Sequence, residues 1–278
     1  MQTVAVVLAG GSGRRVGSAT PKQLQQLGGR HLIDYCVAAF DQAPGVDQVL
    51  VVAAADIIPQ VTQDVSGYSK VAGIIRGGTA RTDSTRAAIG WLSDQTAVSG
   101  QPAPGQPAPG QPARGRPADR HDSTPQPDCK VLFHDAARPL VDQRIIADCV
   151  SALDTWRAVG VVVPSSDTIV EMSEGRIRRV LPRDSLGRCQ TPQGFWLSVI
   201  SRAYEIASAD PEFDSIPATD DCGVVLRYLP AVPIGAVTGS DRNMKITYAA
   251  DFAIAQTFLD PAQPPDPAQS LDRAQSGS

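Results

Sequence analysis

Short apolar runs alternate with helix-like stretches along this chain, and that alternation constrains the fold more than any other feature of the sequence. The first run, residues 3–8, is continuously apolar, which is typical of a strand buried on both faces. Residues 32–40 then place apolar side chains at helical spacing. The repeated order predicts an α/β fold, a mostly parallel sheet flanked by helices on both faces. Strands are predicted at residues 3–8, 49–53, 71–75, 131–133, 160–163 and 234–237, and helices at 32–40, 81–92, 145–156, from about 194, and 252–259.

Two segments differ in composition from the rest of the chain. Residues 96–128 contain the repeat GQPAPGQPAPGQPARGRPA, and residues 261–278 are similarly rich in Pro, Gln and Ser. Such segments lack the apolar groups needed to offset the entropy lost on ordering. We therefore expect one domain over residues 1–260, with a disordered insertion at about 96–128 and a disordered tail at 261–278.

A hairpin interrupts the strand–helix alternation at residues 168–180 (TIVEMSEGRIRRV). Two β-rich arms flank Glu174 and Gly175, a pair that favours a tight turn. Because the hairpin lies between a core strand and a helix, it is expected to project from the sheet as a β-arm at about 164–188.

Overall charge and cysteine usage exclude several classes of protein. The formal net charge is −4, so a general nucleic-acid binder is not expected, although a local positive site for a small anion is compatible with it. The five cysteines are scattered and form no CxxC pair, which favours reduced thiols in a cytoplasmic protein. Neither a signal peptide nor a membrane span is expected.

A glycine-rich loop follows the first strand, in residues 8–24 (LAGGSGRRVGSATPKQL). Glycines at this place let backbone N–H groups approach phosphates closely, although a tight turn without a ligand uses them too. The loop lacks the third glycine of GxGxxG and the GK[ST] ending of a Walker A motif. It does hold three cations, Arg14, Arg15 and Lys22, which indicate a site for phosphoryl-type transfer.

Six motifs together carry a family resemblance. They are GGSGRR with PKQ in the glycine loop, HDAARP at 134–139, PSSDT at 164–168, TPQGF at 191–195, TDD at 219–221 and NMKIT at 243–247. In this order the set resembles the 2-C-methyl-D-erythritol 4-phosphate cytidylyltransferases, which use CTP in the non-mevalonate isoprenoid pathway. The resemblance covers residues 3–259 apart from the Pro-rich insertion.

The resemblance implies a Rossmann-like nucleotidyltransferase fold, a requirement for Mg²⁺ (with Mn²⁺ as a substitute), and a homodimer in which the β-arm reaches the partner. It implies Arg15 and Lys22 as the catalytic residues that stabilise charge at the α-phosphate. The residues implied in nucleotide binding are Ala9, Gly10, Gly11, Gly13, Arg14, Gly77, Ser84 and Ala136. The residues implied in positioning the acceptor are Arg183, Lys245, Thr168, Asp135 and Arg138. No nucleic acid or membrane partner is implied, and no fused cyclodiphosphate synthase domain is expected.

The role of Asp135 stays open at this level. An aspartate at a strand end beside a triphosphate suits a direct or water-mediated magnesium ligand, or a partner for an acceptor hydroxyl. A helix cap or a structural pair with Arg138 is the alternative. His134 is expected to be a packed strand-end residue, because the chemistry has little use for it.

Three other functions compete with this interpretation. A ribitol-5-phosphate cytidylyltransferase has closely similar motifs and a different alcohol. A relative that uses GTP, UTP or dTTP shares the glycine loop, but HDAARP and TPQ argue against it. A non-catalytic nucleotide-binding regulator is expected to lack a key cation, whereas Arg15, Lys22, Arg183 and Lys245 are all present.

Overall fold

The computed structural model describes residues 1–10, 21–99, 128–213, 215 and 218–259. Its strands are β1 (Thr3–Ala9), β2 (Gln26–Leu27), β3 (Arg30–His31), β4 (Gln48–Ala53), β5 (Val71–Arg76), β6 (Lys130–Asp135), β7 (Ala158–Pro164), β8 (Val170–Ser173), β9 (Arg176–Val180), β10 (Gly187–Trp196) and β11 (Ile234–Thr238). Its helices are α1 (Leu32–Gln42), α2 (Ile58–Val65), α3 (Arg81–Ser99), α4 (Gln143–Ala152), α5 (Leu197–Ala209), α6 (Asp221–Tyr228) and α7 (Ala249–Leu259).

Seven strands form the central sheet in the order β11-β7-β10-β6-β1-β4-β5. Neighbours pair in parallel except at β10, which runs antiparallel to both β6 and β7. All seven residues of β1 are buried. Alternate side chains of β1 enter two separate apolar clusters, one with α1, α2 and α4 and the other with α3, α5 and α6. The predicted α/β sheet covered on both faces is thus confirmed.

Strand β10 corrects one prediction. The sequence predicted a helix from about residue 194, whereas Gly194 lies inside a strand and the helix begins at Leu197. The pairing of β10 with β7 shifts register between Gln190 and Gln193, so Pro192 falls in an irregular stretch that does not need its missing N–H.

The predicted hairpin is present as β8 and β9, which pair with each other outside the main sheet. Its turn is formed by Glu174 and Gly175, with φ values of 51° and 74°. Two successive positive φ values match the right-handed twist of the flanking strands, which explains why the sequence signal was reliable here.

Helix α7 closes a third, smaller apolar cluster around Leu27, Leu32 and Ile246. Helix α3 extends to Ser99, past residue 96, where the sequence predicted the insertion to begin. The rest of the predicted insertion up to residue 127, and the predicted tail at 261–278, lie outside the described residues. Among the helices described, none is both long and apolar enough to cross a membrane.

Candidate active site

Several sequence-predicted site residues lie where parallel strands end. Ala9 is the last residue of β1 and Gly10 follows it, while Asp135 is the last residue of β6 and Ala136 follows it. Gly77 comes directly after β5. Ligands of open α/β sheets bind outside the carboxyl ends of the strands, so these residues lie at the expected edge.

Gly10, Gly77 and Ser84 form one tight group. A Cβ atom built on Gly10 would lie 2.5 Å from Ser84 Oγ, and one built on Gly77 would lie 2.7 Å from the same oxygen. Both distances are too short for a real Cβ, and Ser84 is buried. The end of β1 and the start of α3 therefore approach each other here only because Gly10 and Gly77 carry no side chain.

Asp135 lies between two cations. Lys245 Nζ is 2.6 Å from Asp135 Oδ2, and Arg81 Nε is 3.1 Å from Asp135 Oδ1. Burial disfavours the charged form of Asp135, but the charges of Arg81 and Lys245 outweigh burial and hold the pKa of this carboxyl far below its usual range. Asp135 is therefore ionised at neutral pH, and both of its oxygens already accept a charged hydrogen bond.

Arg81 continues the network to a second carboxylate, Asp221. Its Nη1 is 2.7 Å from Asp221 Oδ2, and the Asp221 side chain is fully buried. The other oxygen of Asp221 accepts hydrogen bonds from Thr85 Oγ1 at 3.0 Å and Tyr204 OH at 2.7 Å. Burial alone would lower the pKa of Arg81, but the two carboxylates raise it above the ordinary value. The result is an alternating chain of four charges from Asp221 to Lys245.

Sequence reasoning missed Arg81 and Asp221. The motif TDD entered the sequence analysis only as part of the family resemblance, and its first aspartate, Asp220, caps α6 by accepting from Gly223 N at 2.7 Å. Asp221 differs from its neighbour because it enters the interior. The only signal was the second aspartate, and nothing near Arg81 indicated that a residue 140 positions away would be its partner.

His134 is buried, as the sequence predicted, and it supports Asp135 through the backbone. His134 Nε2 is 3.0 Å from the carbonyl oxygen of Arg138, which only accepts, so Nε2 carries the proton. Burial lowers the pKa of His134 to about 4, and the neutral ring leaves Nδ1 to accept from Thr191 Oγ1 at 3.1 Å. Thr191 Oγ1 in turn accepts from Asp135 N at 3.1 Å. The ring thereby fixes the end of β6 without taking part in proton transfer.

Arg138, predicted to position the acceptor, binds main-chain oxygens. Its Nη1 donates to Asn243 O at 2.8 Å and its Nη2 donates to Cys189 O at 3.2 Å. Asn243 also donates to Thr191 O at 2.8 Å. Arg138 therefore holds the segment that carries Lys245 against β10.

Lys22 lies beside the same segment. Its Nζ donates to Ile246 O at 2.6 Å, so Lys22 reaches the residue directly after Lys245. Gln23 Nε2 donates to Ala9 O at 2.6 Å and ties this part of the chain to the end of β1. Four predicted residues of the glycine loop lie outside the described residues: Gly11, Gly13, Arg14 and Arg15.

Thr168 and Arg183 are not brought to this group. Both are exposed at the base of the hairpin formed by β8 and β9. Within the part of the chain that the structure describes, neither side chain makes a hydrogen bond or an ion pair. These two predicted acceptor contacts therefore stand apart from the cluster of Lys22, Asp135 and Lys245.

A metal ion would find one carboxylate here. Among the described residues, no three His, Cys, Asp or Glu side chains come together as a metal site. Mg²⁺ commonly binds through one or two carboxylates together with substrate phosphates and waters. The ionised side chain of Asp135 fits that mode, whereas a cage made only of protein ligands does not form in the described part.

Comparison with known sequences identifies similar proteins. A family model described as "IspD: 2-C-methyl-D-erythritol 4-phosphate cytidylyltransferase" matches residues 3–99 and 122–261. The unmatched stretch between these ranges falls inside the Pro- and Gly-rich segment. The 2-C-methyl-D-erythritol 4-phosphate cytidylyltransferase of Thermobifida fusca (strain YX) is 43% identical over 265 residues, which cover 93% of each chain.

Two further matches are a related sequence and a related crystal structure. The bifunctional ribulose 5-phosphate reductase/CDP-ribitol pyrophosphorylase Bcs1 of Haemophilus influenzae is 32% identical over 262 residues, 93% of this chain and 48% of that protein. The crystal structure of 4-diphosphocytidyl-2C-methyl-D-erythritol synthase from Anaerococcus prevotii DSM 20548 aligns with a TM-score of 0.71 and 22% identity. That alignment covers 93% of this chain and 98% of the other, and it shows a shared fold.

Proposed function

The chain belongs to the 2-C-methyl-D-erythritol 4-phosphate cytidylyltransferase family, and from that premise we propose which of its residues carry the reaction. The reaction transfers the cytidylyl group of CTP to 2-C-methyl-D-erythritol 4-phosphate. The products are 4-diphosphocytidyl-2-C-methyl-D-erythritol and pyrophosphate. One observation carries the assignment of roles: Lys22, Lys245 and Asp135 converge beside the end of β1, from which the glycine loop departs.

The chemistry is an in-line displacement at phosphorus. A phosphate oxygen of the acceptor forms a bond to the α-phosphorus of CTP while the bond from that phosphorus to the bridging oxygen breaks. Pyrophosphate leaves with the electron pair. Because the nucleophile is already an anion, no general base is required, and catalysis comes from positioning and charge stabilisation.

Lys22 and Arg15 are the proposed catalytic residues. Both would neutralise charge that accumulates around the α-phosphate in the transition state. The ammonium group of Lys22 is held by the carbonyl of Ile246, the residue that follows Lys245. Gly10, Gly11, Gly13 and Arg14 are proposed to contact the triphosphate.

The cytosine base is proposed to bind at Gly77 and Ser84, next to Ala9 and Ala136. The close approach of Gly10, Gly77 and Ser84 supports this role, because a tight wall of glycine backbone against the Ser84 hydroxyl admits a small flat ring more readily than a large one. Preference for CTP then depends on backbone groups rather than on a distinctive side chain.

Asp135, Lys245 and Arg138 are proposed to position the acceptor, and Mg²⁺ is the proposed cofactor, with Mn²⁺ as a substitute. Asp135 would hold the ion together with phosphate oxygens. The bound ion would offset phosphate charge and polarise the α-phosphorus. Asp135 itself is kept ionised by Lys245 and Arg81, which supports a role that needs a carboxylate.

We propose that the active protein is a homodimer joined through the hairpin. The hairpin exposes Met172, Ile177 and Val180, which are 56%, 63% and 60% accessible in the single chain. Exposed apolar groups on a projecting element are typical of an interaction surface. Thr168 and Arg183 would then reach the acceptor in the site of the partner subunit. Five free cysteines suit a cytoplasmic location, the proposed compartment.

Pyrophosphate release tests the function directly. The full chain is incubated with CTP and Mg²⁺, once with 2-C-methyl-D-erythritol 4-phosphate and once with ribitol 5-phosphate. Release with the first acceptor alone is expected. The second acceptor is included because the related protein from Haemophilus influenzae is a CDP-ribitol pyrophosphorylase by name. Release with ribitol 5-phosphate alone would keep the mechanism and overturn the acceptor.

A further inference from the structure

Asp221 is a buried anion at the start of α6 whose hydrogen bonds point in two directions. One oxygen accepts from Thr85 and Tyr204, while the other faces Arg81 Nη1 at 2.7 Å. Its backbone N–H donates to Gln193 Oε1 at 3.0 Å, which joins α6 to β10. An aspartate anchored on three sides is a fixed point to which a mobile side chain is able to bind.

Arg81 connects Asp221 to Asp135. Its Nε binds Asp135 Oδ1 at 3.1 Å while its Nη1 binds Asp221 Oδ2. The guanidinium group is planar and rigid, so fixing one nitrogen fixes the direction of the others. Arg81 Nη2 is buried and has no hydrogen-bond partner within the described residues. The side chain therefore gives up one hydrogen bond to keep the two carboxylate contacts.

From this geometry we propose that Asp221 and Arg81 are positioning residues for the reaction, Asp221 acting on the acceptor site through Arg81 and Asp135. Without Asp221, Arg81 is left with Asp135 as its single anion and is free to rotate toward it. The Asp135 carboxylate, which Arg81 and Lys245 already hold between them, would then lose its fixed orientation toward a further ligand. The inference rests on the proposed role of Asp135 in placing the acceptor and the metal ion.

A second aspartate provides a matched control. Asp210 accepts hydrogen bonds from Arg227 Nη2 at 2.7 Å and Tyr228 OH at 2.6 Å. It therefore has the same partners by residue type, an arginine and a tyrosine, as Asp221 has. The path from Asp221 through Arg81 to Asp135 does not include Asp210, Arg227 or Tyr228. Replacing Asp210 thus removes a similar set of bonds without touching the path to the acceptor site.

The experiment compares kcat/KM for 2-C-methyl-D-erythritol 4-phosphate at saturating CTP and Mg²⁺ in variants of the whole chain. Asp221→Asn is expected to lower this value roughly 10- to 100-fold, the usual cost of a lost supporting contact, with little change in KM for CTP. Asp210→Asn is expected to stay within about twofold of the unmodified protein. A large loss in both variants would overturn the proposal, because the effect would then be general.

The Asp135→Asn background separates positioning from a structural role. If Asp221 acts through Asp135, adding Asp221→Asn to Asp135→Asn is expected to cost less than about threefold more. An equal loss of kcat/KM in both backgrounds would overturn the proposal. The failure of the proposed function is distinguishable, since the unmodified protein would then release no pyrophosphate with this acceptor.

Arg81→Lys keeps the test decisive if Asp221→Asn does not fold. Lysine retains the buried positive charge but has one nitrogen, so it is unable to bind both carboxylates at once. A loss of roughly 10- to 100-fold in kcat/KM for the acceptor is expected here as well. Full activity of Arg81→Lys would overturn the proposal, because a simple charge would then be sufficient.

Discussion

Charged residues crowd two regions of this protein, the end of β6 and the hairpin of β8 and β9, and only the first region encloses them. At the end of β6, nitrogens of Arg81 lie 3.1 Å from an oxygen of Asp135 and 2.7 Å from an oxygen of Asp221, and the Asp221 side chain is fully buried. On the hairpin, Arg178 and Glu174 are 3.9 Å apart and more than half exposed. Exposed pairs contribute little, whereas a buried pair is costly to break. The same residue types therefore fix the orientation of neighbouring side chains at the end of β6, whereas on the hairpin they remain in contact with water.

The comparison is tested most strongly by removing a buried charge. Asp221→Ala leaves Arg81 buried with one carboxylate fewer, and it is expected to lower the free energy of unfolding by about 3–5 kcal/mol. Urea denaturation followed by circular dichroism measures this change. Glu174→Ala on the hairpin is the control and is expected to unfold like the unmodified protein. Equal effects of the two substitutions would remove the distinction between the regions.

Lys22 tests the same contrast in the reaction rate. Lys22→Ala is expected to lower kcat roughly 10²- to 10³-fold, because charge at the α-phosphate loses a preorganised cation. KM for CTP is expected to change much less, which steady-state pyrophosphate release would show. Arg178→Ala removes a cation from the hairpin instead and is expected to leave kcat near its original value. A rise in KM for CTP with an unchanged kcat in Lys22→Ala would argue against a catalytic role for Lys22.

Acid conditions provide a third test, because the enclosed region contains a histidine that stays neutral. The pKa of His134 is about 4 in the folded protein and 6.5 ordinarily, so the unfolded chain binds the proton first as the pH falls. This histidine is therefore expected to remove roughly 3 kcal/mol of stability between pH 6.5 and pH 4. The stability is present above pH 6.5 and declines as the pH falls.

The substitution His134→Gln isolates the contribution of this histidine to the pH dependence of stability. Glutamine keeps a donor for the carbonyl of Arg138 but does not titrate, so its unfolding free energy is expected to depend less on pH over this range. Denaturation curves at several pH values for both proteins give the difference. Parallel curves would mean that His134 is not the group that is kept neutral.

The smallest effect is expected on the hairpin itself, in its apolar residues. The double substitution Met172→Ser and Ile177→Ser is expected to raise the dimer dissociation constant about tenfold or more, because apolar area is no longer removed from water. Analytical ultracentrifugation measures the constant. Leu226→Ser, at another exposed apolar residue, is the control. An unchanged constant in the double variant would separate the hairpin from dimer formation.

Sequence alone predicted the strands with apolar runs and the hairpin with its turn residues. The run at residues 3–8 became β1, and Glu174 with Gly175 became the turn, since both signals are local. Strand β10 was missed because Pro192 and Gly194 are unfavourable in a central strand. Its place between β6 and β7 depends on partners that are far away in sequence.

The candidate site likewise contains residues that were predicted from the sequence and residues that were not. Lys22, Asp135 and Lys245 were predicted from motifs, and the structure places them together. The contact between Arg81 and Asp221 spans 140 positions, and no local sequence pattern at either residue predicts this contact. A single sequence does not contain the pairing of two distant charges, which is visible only after the helices have packed.

Strand β10 also limits where the length of this chain is able to change. One end of the strand, at Gly187, follows the hairpin, and the same strand places Thr191 against Asp135 and Gln193 against Asp221. One inserted residue would turn the following side chains to the opposite face and separate both pairs. Between α3 and β6, by contrast, the family match breaks off for residues 100–121 and then resumes. Inserted residues are thus tolerated between α3 and β6, and they are disfavoured in β10, the strand that connects the hairpin to the candidate site.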